Sequence, residues 1–205
     1  MKLLDVIDVD EGRIGSAVRL DELPPQFRKL PVLGRGATTI ALAKDENTVL
    51  LFTRDTMKVE WLKHGIHLVS HLEVVNPVRS HHLRGMQDLD IYMLTVPRLE
   101  KLNRVNANKV NREIKIFTAM LNRHRREMGY NPRKQQEIIA AISDEYEEKH
   151  PDSLLAPLFS WLINYEPSQY YLDLGRRQFL QTHDGKIVLV DPIVSKELLD
   201  LFRRM

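Results

Sequence analysis

The chain has no cysteine in its 205 residues. Disulfide bridges and thiolate metal sites are therefore excluded, which suits a reducing cytoplasm. Apolar runs of the ~20 residues needed to cross a bilayer are also missing. The opening Met1-Lys2-Leu3-Leu4 meets Asp5 and Asp8 too soon to form a signal-peptide core. There is no G-x-S-x-G, no H-E-x-x-H, no internal repeat and no low-complexity tract. Charge of one sign is lacking as well, since 30 basic and 28 acidic side chains leave +2. What remains is a water-soluble chain whose 43% apolar content suffices for one substantial core or two small lobes.

The richest segment lies near the C-terminus. Phe179–Thr182 and Ile187–Val190 are short β-favouring runs flanking His183-Asp184-Gly185-Lys186. An Asp-Gly pair in this position predicts a two-residue hairpin turn, because both turn residues must accept positive φ. With Asp184 and Gly185 as the turn, Gln178 falls directly opposite Asp191, and facing Cβ atoms lie about 4.5–5.5 Å apart. Asp173 precedes the first strand. An Asp, an amide five residues later and an Asp closing the hairpin make a set of oxygen donors suited to a magnesium–nucleotide complex.

The N-terminal half carries a second pattern. Leu33-Gly34-Arg35-Gly36-Ala37-Thr38-Thr39-Ile40-Ala41-Leu42 reads as a G-x-G turn entering an alternating strand, followed by a turn at Lys44-Asp45-Glu46-Asn47 and a strand over 48–53. Glycines at this spacing let backbone N–H groups approach phosphates closely. A helix is expected over 56–68, then strands over 74–82 and 90–95, the last running through Val96 and Leu99.

Glycine turn, late strand and acidic hairpin, in that order, resemble the protein-kinase-like superfamily. The Asp191-Pro192 ending looks most like the small host-directed kinases of bacteriophages. The resemblance implies an α+β, two-lobed fold, with a strand-rich lobe over 1–97 and a helical lobe over 98–205 that is short at its C-terminus. It implies ATP and Mg2+ as cofactors, Gly34 and Gly36 over the phosphates, and the backbone from Val96 to Leu99 at the adenine. Asp173 would be the catalytic Asp, with Gln178 and Asp191 as metal ligands and Glu60 as the helix glutamate. This chain departs from the family pattern in several places. Tyr171-Leu172 stands for His-Arg, Gln178 for Asn, Asp191-Pro192-Ile193 for DFG, and Leu51 for the strand lysine. Lys44, Lys58 and Arg54 are the nearest cations, with Lys44 counted among the cofactor contacts.

Between hinge and hairpin the sequence is helical. Val110, Ile114, Phe117 and Leu121 share one face. Asn131-Pro132 starts a second helix carrying Ile138, Ile139, Ile142 and Tyr146, and a third bears Leu158, Trp161, Leu162 and Tyr165 as core. Only 12 residues follow Ile193, enough for one helix carrying Leu198, Leu199 and Phe202 but not for an activation segment. From Glu100 to Lys134 there are ten Lys or Arg and three Glu. Without interleaved aromatics nucleic acid is disfavoured, and the acidic stretch from Glu137 to Glu148 favours protein docking or pairing between helices. The expected function is a nucleotide-binding, phage-type modulator of host proteins, with weakened or lost Ser/Thr phosphotransfer. Its alternatives are a non-enzymatic pseudokinase scaffold that inhibits a host protein and, further off, a nucleic-acid-binding regulator.

Overall fold

The computed structural model describes residues 16–81, 84–129, 134–166 and 168–203. The chain is α+β, strand-rich in its N-terminal part and largely helical after it. Two compact units emerge: residues 16–98 together with the segment from Val194, and Leu99–Ile193. The division at 98/99 lies one residue from the expected lobe boundary. The C-terminal segment, expected with the helical lobe, belongs instead to the sheet-bearing unit. No helix of the described residues is long and apolar enough to cross a membrane.

In the sheet unit, β1 (Val32–Arg35), β2 (Thr39–Ala43), β3 (Thr48–Thr53), β4 (His71–Val75) and β5 (Ile91–Pro97) form an antiparallel sheet in the order β1-β2-β3-β5-β4. Period-two alternation sorts its side chains. Ile40, Leu42, Leu50, Phe52, Ile91 and Met93 pack with Val18 and Leu23 into a core, with Phe27 5.0 Å from Phe52 ring to ring. Burying a side chain such as Phe52 or Leu42 contributes roughly 1.5–3 kcal/mol. The opposite face carries Thr39 and Thr53, which lie side by side in register. The strand expected over 74–82 lies earlier, at 71–75, because Pro77 cannot supply a ladder N–H.

A short helix, α1 (Pro25–Arg28), precedes β1. After β3, Asp55 caps α2 (Thr56–Glu60) by accepting from the Lys58 N–H at 3.2 Å. The helix then widens into a π-turn over Trp61–Gly65 and stops there, short of the expected Leu68, as His67 takes φ 49°. Gly65 is required by packing, since a Cβ there would stand 2.1 Å from the Trp61 ring. Arg54 is fully buried: it pairs with Glu22 at 3.3 Å and donates to the carbonyls of Leu89 and Ala17 at 3.1 and 2.5 Å.

In the other unit, α3 (Arg104–Met128), α4 (Gln135–Lys149) and α5 (Ala156–Leu162) pack through Phe117, Tyr146 and Phe159. The Phe159 ring stacks at 5.3 Å on both of the others. Asn131-Pro132 lies outside the described residues. Trp161 and Tyr165, expected in the core, are only half-buried and pair with each other at 4.1 Å. Then come β6 (Tyr170–Leu172), a 3-10 turn over Arg176–Gln178, and the hairpin of β7 (Phe179–Gln181) with β8 (Ile187–Leu189). The hairpin is clamped to the start of α3, where the Gln181 side chain accepts from Asn103 N–H at 2.9 Å and Asn106 Nδ2 at 2.8 Å. β9 (Ile193–Ser195) leads into α6 (Lys196–Arg203), whose Leu198, Leu199 and Phe202 are buried as expected.

Removing one partner of a buried ion pair strands the other charge. Arg54→Met is therefore expected to cost roughly 3–5 kcal/mol, read as a lowered midpoint in urea unfolding.

Candidate functional site

The hairpin turn is one residue longer than expected. Phe179 pairs with Leu189 and Gln181 with Ile187, so the loop holds His183, Asp184 and Gly185. Only Gly185 has positive φ, at 86°, while its N–H donates to the Thr182 carbonyl at 2.9 Å. Thr182 Oγ1 also accepts from the Lys186 N–H at 2.9 Å. A turn followed by one left-handed glycine is the three-residue alternative to the two-residue loop. Its extra residue shifts the register, and Gln178 lies opposite Val190, whose N–H it accepts at 2.8 Å. The expected direct pairing of Gln178 with Asp191 is thereby corrected.

Asp173 and Asp191 nevertheless come together. The Asp173 N–H donates to the carbonyl of Pro192 at 2.8 Å, which ties the loop before the 3-10 turn to the segment carrying Asp191. The buried Gln178 amide donates to Asp173 Oδ2, and Arg177 Nη2 stands 3.7 Å from the same oxygen. Asp173 Oδ1 is buried without a hydrogen-bond partner among the described residues. Burial pushes the Asp173 carboxyl up to about 6; Arg177 opposes the rise, the Asp191 charge adds to it, and the Arg177 and Gln178 bonds oppose it. Carboxylate and carboxamide oxygens are the donors that Mg2+ takes, and an orphaned carboxylate oxygen beside a second carboxylate fits such a cation. Arg177 was not anticipated from sequence; its position four residues after Asp173 is the signal that was there.

The sheet unit holds the remaining expected residues except Leu99, which begins the other unit. Gly34 ends within β1 and Gly36 opens the turn into β2, where its N–H donates to the Thr39 carbonyl at 2.8 Å. Lys58 is buried, its Nζ donating to Thr39 Oγ1 at 2.7 Å and reaching Thr38 Oγ1 at 3.4 Å. Lys44 is exposed in the β2–β3 turn, at the opposite end of β2 and about 16 Å along the strand from Thr39. Arg54 is committed to Glu22. Of the three cations named for the missing strand lysine, the fold brings only Lys58 to the turn. Glu60 is half-exposed at the end of α2 and pairs with His64 at 3.9 Å. Val96 is buried opposite Val49, and the pairing of β4 with β5 runs only as far as Thr95. Thr38 and Thr39 were missed as polar contacts, although they directly follow the glycine turn.

A carboxyl whose folded pKa is raised lends stability only while protonated in the folded state, and that stability is lost as pH rises through about 6. Asp173→Asn removes this penalty. The variant is expected to be more stable than the parent by about 1–3 kcal/mol at pH 7.5, with the difference vanishing below about pH 4. Thermal unfolding across that range checks it.

Comparisons of the chain with protein-family models, with curated proteins and with solved structures find no match.

Proposed function

We propose that this is a kinase-like, two-lobed protein that binds ATP with Mg2+ and carries a weakened Ser/Thr phosphotransfer centre at Asp173. The observation that carries the reading is Asp173 itself: half-buried, fixed through its backbone to Pro192, adjacent to the charge of Asp191, and holding one buried carboxylate oxygen unbonded. A general base needs an acceptor atom that the fold has not already used. The order of the sheet elements, with a glycine turn before β2 and a helix after β3, supports the same reading.

In this reading the Asp173 carboxylate orients an acceptor hydroxyl and takes its proton, while Arg177 and Gln178 keep the carboxylate in place. Asp191 and Gln178 would hold the metal, and Gly34 and Gly36 keep the approach to the turn clear of side chains. Bound Mg2+ and ATP would supply charge neutralisation and the phosphoryl group. The adenine would lie along the backbone from Val96 to Leu99. Catalysis of this type rests on positioning. Engaging the Gln178 amide with Asp173, and taking Gln178 out of register with Asp191, lowers the expected rate. The same two features favour the second reading, a pseudokinase scaffold that binds a host protein without transfer. Resemblance to phage kinases makes a host protein in the bacterial cytoplasm the proposed partner, with nucleic acid the lesser candidate.

Titration with ATP is expected to show saturable binding that requires Mg2+. Radiolabel transfer should disappear in Asp173→Ala and persist in Lys186→Ala, and its rate should fall as pH drops through about 6. Binding without transfer would select the scaffold. No binding at all would end the nucleotide reading.

A further inference from the structure

Helix α3 is basic along its outer face, and only half of that charge is neutralised within the helical unit. Towards its C-terminal end Arg123 bonds to Glu145 of α4, and His124 Nε2 stands 2.9 Å from the same carboxylate. Nearer the start, Arg104, Lys109, Arg112 and Lys115 are exposed, and their side chains have no hydrogen bond or ion pair among the described residues. The one acid in that stretch, Glu113, is half-buried and accepts from Ser153 Oγ at 2.5 Å. At 3.6 residues per turn the four cations fall within an arc of about 140° and span about 17 Å of the axis.

This placement does nothing for the helix itself. Arg104 is its first residue and no acid stands in the first turn, where the positive end of the helix dipole opposes a cation. The same face carries an apolar spot. Val105 is 77% exposed, and a cavity of about 330 Å³ opens beside it, lined among the described residues by Val105, Asn108, Lys109 and Arg112. The backbone under this face is fixed, because Asn106 Nδ2 donates to the Gln181 side chain at 2.8 Å and to the Gly185 carbonyl at 2.9 Å.

We infer that the Arg104–Lys115 face of α3 is a docking surface for an acidic segment of a partner protein. Its carboxylates would lie on the four cations, and one apolar side chain would enter the cavity beside Val105. Charge complementarity makes the occupant an anion. The exposed valine and the lack of aromatic side chains on the face favour a polypeptide over a nucleic acid, whose bases stack on aromatic rings. Carboxylates three and four residues apart on an acidic helix match the spacing of Lys109, Arg112 and Lys115. The inference rests on the proposed function only for the partner being a protein, and not on nucleotide binding or transfer.

Fluorescence anisotropy on the full chain tests it, with a labelled helical peptide of about 20 residues that carries Glu at every third and fourth position around a central leucine. The parent is expected to bind this peptide, more weakly as salt is raised. Lys109→Glu with Arg112→Glu should weaken binding about ten- to thirtyfold, and Val105→Ser about three- to tenfold. Thermal midpoints should stay at the parent value, since these side chains are exposed. Lys29→Glu with Lys63→Glu makes the same change in net charge on the sheet unit and should bind like the parent. An equal loss in that control overturns the surface, because net charge alone would then explain it. Tighter binding of single-stranded or duplex DNA than of the peptide, lost in the Lys109→Glu, Arg112→Glu variant, overturns a protein occupant. ATP titration of the same proteins separates the two readings. ATP bound without the peptide overturns the docking surface and leaves the nucleotide reading, and peptide bound without ATP does the reverse.

Discussion

One carboxylate oxygen organises one end of the sheet unit. Asp55 Oδ1 accepts from the Lys58 N–H and from the Ser195 N–H. The first bond caps α2 and sets the rotation of its opening turn, which decides where the Lys58 side chain points. The second fixes the start of α6, whose apolar residues complete the unit. A buried carboxylate is costly unless its oxygens are used, so both segments are held by the need to satisfy it. Arg54, its neighbour in sequence, is fixed the same way by Glu22 and two carbonyls. The end of β3 thus carries a buried cation, a buried anion and, three residues on, a second buried cation.

The helical unit reaches its candidate site by backbone geometry. Within the hairpin loop Gly185 alone takes the left-handed conformation, the loop gains a residue, and the register moves Gln178 away from Asp191. The Gln178 amide turns to Asp173 instead. A Gln bonded to Asp173 stiffens that carboxylate. The shift of the Asp173 carboxyl to about 6 has its main cause in burial, and that same burial destabilises the folded state above that value.

Much of the architecture was legible because it depends on periodicity. The strand over 48–53, the helical faces containing Val110 and Phe117 or Ile138 and Ile142, and the apolar face of the last helix all follow from side-chain spacing. Boundaries were less legible where a local choice intervened: Gly65 stopping α2 against the Trp61 ring, Pro77 displacing β4. The site was half legible. Asp173, Gln178 and Asp191 stand out as oxygen donors around a hairpin, and Gly34 and Gly36 as a phosphate-type turn. Choosing among Lys44, Lys58 and Arg54 was beyond spacing, because the three lie within fifteen positions in sequence and the fold sends them to different places.

By itself, then, the sequence determined which residue types were available and which faces were apolar, since composition and period survive any packing. Tertiary structure decided the rest. It assigned Arg54 to the core, left Lys44 in solvent and placed Lys58 beneath the glycine turn, because these outcomes depend on which buried polar atoms must be satisfied. It also chose the three-residue hairpin loop, because a two-residue turn needs positive φ at Asp184 as well as Gly185, and bonds to Thr182 stabilise the alternative in which glycine alone takes it.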